Sequence, residues 1–99
     1  MVEIVKKPID LQESELKKLF ISVINFDFDE WLINELKITK TTYEDMGSII
    51  DINCFNSGYS IVIKDDYKIE ISSYNSNHTA NIIDVLNCLL EIGAIKINN

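Results

Sequence analysis

The stretch "SIIDINCFNSGYSIVIKDDYKIEISSY", residues 48–74, decides the fold. Apolar and polar residues alternate along it in three runs, the period of strands with one buried face. In the first run Ile50, Ile52 and Cys54 point one way, and Asp51 and Asn53 the other. Tyr59, Ile61 and Ile63 are the matching set in the second run, Ile69 and Ile71 in the third. A slip of one residue exchanges the faces, so the first connection must hold an even number of residues. A two-residue Ser57-Gly58 turn satisfies this, with glycine supplying the positive φ. It pairs Cys54 with Ile61 and Ile52 with Ile63, and sets Asp51 opposite Lys64. The second connection must be odd, most simply Asp65-Asp66-Tyr67, which leaves Lys64 facing Lys68 at the loop mouth. The expectation is an antiparallel meander over about 48–55, 59–64 and 68–74, with an apolar inner face. On its mostly polar outer face Phe55, Val62 and Tyr74 are the exceptions.

Helices flank this meander. Asp10 and Glu13 have the spacing of a capping box, and Leu16, Leu19, Phe20, Val23 and Ile24 share one helical face, giving a helix over about 11–24. A second is expected over about 28–37 and a third over about 79–92. In the third, Ile82, Ile83, Val85, Leu86, Leu89, Leu90 and Ile92 cover nearly half the cylinder, and Gly93 is placed to end it. Residues 38–47, "ITKTTYEDMG", read as irregular or as one helical turn capped by Thr42. Short strands at 2–6 and 94–97 are expected to extend the sheet at the two ends of the chain. The element order defines an α+β, two-layer single domain over 1–99.

Composition narrows the function. Sixteen acidic residues against nine basic ones give a net charge of −7, and every basic residue is lysine. Without arginine the chain lacks the bidentate fork that reads phosphate and guanine, and its negative field repels a nucleic-acid backbone. Direct nucleic-acid binding is not expected, whereas a cationic partner is favoured by complementary charge. The first residues show no basic segment followed by an apolar core, and no apolar run is long enough to span a bilayer. The expectation is a cytoplasmic protein with Cys54 and Cys88 as free thiols.

No catalytic constellation is read. His78 is the only histidine, the three glycines are isolated, and the two cysteines have no metal-ligand spacing. The segment "NFDFDEWLINELK", 25–37, sets Asp27, Asp29 and Glu30 among aromatic residues. A calcium loop begun at Asn25 places Glu30 where glycine is needed and Leu36 where the bidentate glutamate is needed; one begun at Asp27 places Leu32 and Ile38 there. A helix start fits better, since acids in a first turn complement the helix dipole.

The expectation is therefore a non-enzymatic, acidic protein-binding module with no cofactor and no metal. Its partner is expected to be a basic, nucleic-acid-handling protein, a toxin or a host nuclease or defence protein, which it would inhibit as immunity proteins and phage anti-defence proteins do. The residues placed first at the contact are Asp27, Asp29, Glu30, Trp31 and Glu35, then Asp65, Asp66 and Tyr67. The alternative is a self-associating structural or regulatory subunit, for instance a homodimer, motivated by a free edge strand and by Phe55, Val62 and Tyr74.

Overall fold

A computed structural model of the chain describes residues 1–24, 34–54, 58–72, 77–79 and 81–98, with only the backbone of 77–79. Strand β1 (Val2–Ile4) is followed by a 3-10 turn (Pro8–Asp10) and helix α1 (Glu13–Ile24). Four strands come next: β2 (Lys37–Tyr43), β3 (Gly47–Cys54), β4 (Tyr59–Lys64) and β5 (Ile69–Ser72). Strand β6 (Asn77–Thr79), helix α2 (Ile82–Glu91) and β7 (Ile95–Ile97) complete the order. The architecture is α+β: β2 to β5 form an antiparallel meander that β6 prolongs at its edge, and β1 pairs with β7 in a separate two-stranded ribbon.

The expected alternation is what the sheet obeys. Ile50, Ile52, Cys54, Ile61, Ile63, Ile69 and Ile71 all lie buried on the inner face. Against them pack Leu16, Leu19, Phe20, Val23 and Ile24 of α1 and Val85, Cys88 and Leu89 of α2. Each fully buried aliphatic side chain contributes about 1.5–3 kcal/mol relative to exposure, so this two-layer interior is the main stabilising element.

The second hairpin has the expected register, with Ile63 opposite Ile69 and Ile61 opposite Ile71. Its three-residue loop is closed by Lys64 N–H donating to the Lys68 carbonyl at 3.0 Å. Tyr67 takes the left-handed conformation there, φ +64°, as the third residue of such a loop must. The first hairpin differs. Cys54 faces Tyr59 and Ile52 faces Ile61, so four residues, not two, separate the strands. Gly58, at φ +75°, closes that connection with its N–H on the Cys54 carbonyl. A shift of two residues preserves both faces, which is why parity could not exclude it. Asp51 consequently lies opposite Val62, and Lys64 opposite Ile49.

Other expectations are corrected. Residues 37–43 form β2, a full sheet strand paired with β3 from Lys37–Asn53 to Tyr43–Gly47. It succeeds as a strand because five of its seven residues are Ile, Thr or Tyr, which suit a pleated surface even without apolar alternation. The helix expected over 28–37 does not reach its end: Asn34 and Glu35 are in 3-10 conformation and Lys37 already belongs to β2, while 28–33 lie outside the described residues. The terminal strands extend nothing; they pair with each other, Val2 with Ile97 and Ile4 with Ile95. The helix expected over 79–92 is shorter, since Asn77–Thr79 is a strand and Asn81 caps Ile82–Glu91 through its side chain on the Ile83 N–H at 2.9 Å. Helix α1 starts at Glu13, not at 11, and its capping contact is Gln12 N–H to Glu15 Oε1 at 2.9 Å, about two residues later than Asp10 and Glu13 implied.

Lys40 sits on the inner-face side of β2, opposite Ile50. Its ammonium donates to the carbonyls of Ile9 (3.0 Å) and Leu11 (2.8 Å), tying the sheet edge to the segment that leads into α1. A charged donor on a carbonyl is among the stronger hydrogen bonds, so this link holds β2 to the segment leading into α1.

Candidate functional site

The meander brings two hairpin turns to one end of the sheet, because β2–β3 and β4–β5 are joined there and β3–β4 at the opposite end. The first turn is Glu44-Asp45-Met46 and the second Asp65-Asp66-Tyr67. They are locked together. Ser48 N–H donates to Asp65 Oδ2 at 3.2 Å, and Gly47, at φ +78°, leaves room for that carboxylate. A Cβ on Gly47 would overlap the Asp65 carboxylate, so glycine is required twice over, for conformation and for space. Asp65 Oδ1 is buried with no hydrogen-bond partner among the described residues.

The three residues expected here divide by role. Asp65 turns inward and holds the β2–β3 turn. Tyr67 is half-buried and its hydroxyl donates to the Lys6 carbonyl, fastening the turn to the segment after β1. Burial, reinforced by Glu15 and then Asp10, pushes the Tyr67 phenol well above its ordinary value of 10.0, so it stays a neutral donor. Only Asp66 faces solvent, its Oδ1 accepting from Lys68 N–H at 3.0 Å.

Beside Asp66 lie residues that reading the sequence did not single out. Glu44 and Asp45 are exposed on the adjoining turn, with Met46 70% and Tyr43 45% exposed next to them. The signal that could have found them is Asp45-Met46-Gly47 after a Thr-rich run, a turn bounded by a β-prone segment. This end of the sheet thus presents carboxylates from two joined turns together with an exposed aromatic and an exposed thioether side chain. Chemically it can accept hydrogen bonds and pair with cations, on backbone held by the Asp65 and Tyr67 contacts.

Glu35 is exposed but precedes β2, so the seven-residue strand separates it from the hairpin end by about 20 Å. Asp27, Asp29, Glu30 and Trp31 lie outside the described residues, as do Phe55 and Tyr74 of the expected outer patch; Val62 is half-buried. Cys54 and Cys88 are buried in the core and form no disulfide among the described residues. Among the described residues no group of three histidine, cysteine or carboxylate side chains could hold a metal ion. Among the same residues no helix is long and apolar enough to cross a membrane.

A second surface contrasts with the acidic end. The β1–β7 ribbon exposes Met1, Val2, Ile4, Val5 and Ile97. On its other face Lys96 pairs with Glu3 at 3.2 Å, and Asn98 Nδ2 donates to the same carboxylate at 2.9 Å. The Asn98 amide first, and Lys96 second, hold the Glu3 carboxyl below its ordinary value.

Compared with known protein families, curated proteins and solved structures, the chain matches none.

Proposed function

We propose that this protein is a small acidic binding module that inhibits a basic, nucleic-acid-handling protein by occupying its surface, in the manner of immunity proteins or phage anti-defence proteins. The observation that carries this reading is the hairpin end, where Glu44, Asp45 and Asp66 stand exposed beside Tyr43 and Met46 on two interlocked turns. Carboxylates on a fixed backbone compete with phosphates for a cationic surface, and preorganisation lowers the ordering cost of binding. Aromatic and methionine side chains at the centre of such a patch supply the apolar contact that charge alone does not. The module would act without catalysis or cofactor, inside the cell.

The test is affinity capture with the tagged protein from a lysate of its own source, at low and at roughly 0.5 M salt, with captured proteins identified by mass. Retention of a basic nucleic-acid-binding protein at low salt, weakened at high salt, supports the reading; capture of no basic protein removes it. The exposed apolar ribbon favours a second reading, self-association. Sedimentation at several concentrations decides it, since an apolar dimer persists in high salt.

A further inference from the structure

We propose that the free edge of β2 is a strand-addition site for an extended segment of a partner protein in which apolar and acidic residues alternate. Strand β2 is the first strand of its sheet, and no described strand lies on its far side. Its seven residues are regular, all but Ile38 are exposed, and among the described residues no strand takes up the alternate N–H and C=O groups of its outer edge. Beside this edge runs a cleft of about 260 Å³ between β2 and the start of α1, lined by Glu13, Leu16, Ile38 and Lys40. An edge strand next to a helix with a cleft between them is the arrangement in which an added strand finds both backbone hydrogen bonds and side-chain pockets.

The register fixes the chemistry of the occupant. Ile38 and Lys40 lie on the inner-face side of β2, because they pair with Ile52 and Ile50 of the buried face. Side chains of an added strand on that side would enter the cleft over Leu16 and Ile38, where Lys40 is already bonded to the Ile9 and Leu11 carbonyls and Glu13 pairs with Lys17, so apolar side chains suit it best. On the outer side β2 offers Lys37, Thr39 and Thr41, paired with Asn53, Asp51 and Ile49. Lys37 has no salt-bridge partner among the described residues, and it is the lysine of this outer side, since Lys40 is engaged on the inner one. Acidic side chains on the outer side of the added strand complement it.

The same charges argue against a second copy. Antiparallel pairing of β2 with itself, keeping both inner faces on one side, aligns residues of equal parity. Centred on Lys40 it sets two lysines directly opposite each other; centred on Thr39 or Thr41 it still gathers four lysines along one seam, two on each face. Edge lysines of this kind are a recognised barrier to self-pairing. The site is separate from the acidic hairpin end and does not depend on the function proposed for it.

The probe is an acetylated, amidated peptide of about seven residues alternating Glu and Val, with a Lys-Val counterpart as control. Backbone amide exchange in the intact protein reads the location, and fluorescence titration reads affinity. Binding of the Glu-Val probe is expected to slow exchange at alternate β2 amides, and Lys37→Glu to weaken it about fivefold. Lys96→Glu, a lysine on the β1–β7 ribbon, is expected to leave it unchanged. Equal binding of the Lys-Val peptide, equal loss in both variants, protection centred elsewhere, or no binding at millimolar probe would each overturn the proposal. So would protection of β2 that rises with protein concentration alone, because that is self-pairing.

Discussion

The β3–β5 meander and the β1–β7 ribbon are both antiparallel and both rich in isoleucine, yet they use it in opposite ways. In the meander the inward residues Ile50, Ile52, Ile61 and Ile63 are completely buried. Along the ribbon the exposure of the apolar row climbs from Ile95 at 5% through Ile4 at 43% to Ile97 at 55%. The ribbon is anchored at its base, where Val5 and Lys6 both donate to the Ala94 carbonyl, and lifts away from the core toward the chain ends. The difference teaches that alternation predicts a strand but not what covers it. Two helices close over the meander, whereas the described elements leave one face of the ribbon open.

The largest effect expected from this contrast is in the meander centre. Ile61→Ala should cost about 2–5 kcal/mol, the range for deleting a buried aliphatic group, measured by urea unfolding. A loss below about 0.5 kcal/mol, the range of a surface substitution, would mean that Ile61 is not the core residue described. Next comes the joint between the two turns. Gly47→Ala forces a side chain into the left-handed region and against Asp65, at a cost of about 1–3 kcal/mol. Combining it with Asp65→Ala should recover part of that loss in a double-mutant cycle; strict additivity would show that the two residues do not meet.

The Tyr67 hydroxyl gives a smaller effect with a pH signature. Tyr67→Phe should cost about 0.5–1.5 kcal/mol at neutral pH, the net worth of one hydrogen bond. Because the folded phenol titrates above its ordinary value of 10.0, its contribution is complete below that pH and is lost as pH rises above it. The wild type should therefore lose stability faster than Tyr67→Phe in alkaline urea melts, and parallel curves would contradict the burial described. The smallest effect belongs to the ribbon: Ile97→Ser should change stability by less than about 0.5 kcal/mol. A larger loss would show that the exposed row is part of the fold's support.

What was legible in the sequence follows the same physics. The faces of β3, β4 and β5 could be read because a period of two against a buried layer leaves little freedom, and the odd loop at Asp65-Asp66-Tyr67 followed from it. Loop length in the first hairpin could not, since two and four residues satisfy the same parity. Strand β2 is not legible in the sequence because Lys40 occupies an inner-face position where alternation calls for an apolar residue, its charge satisfied by the Ile9 and Leu11 carbonyls. Ile82 and Ile83, counted with the apolar face of the last helix, are 70% and 64% exposed, because α2 lays only its Val85–Cys88–Leu89 side on the core. At the candidate site the Asp65, Asp66 and Tyr67 cluster was found by composition, but which of the three faces solvent depended on Ser48, Lys6 and Gly47, residues distant in sequence. Glu44 and Asp45 were hidden for the same reason as β2.

The central claim is that the acidic hairpin end, not the apolar ribbon, engages a partner. It is tested most directly by capturing proteins from source lysate with three baits side by side. These are the wild type, the charge-reversed Glu44→Lys, Asp45→Lys, Asp66→Lys variant, and the ribbon variant Val2→Ser, Ile97→Ser. A basic protein is expected to be retained by the wild type and the ribbon variant and lost by the hairpin-end variant. Retention by the hairpin-end variant with loss by the ribbon variant would contradict it.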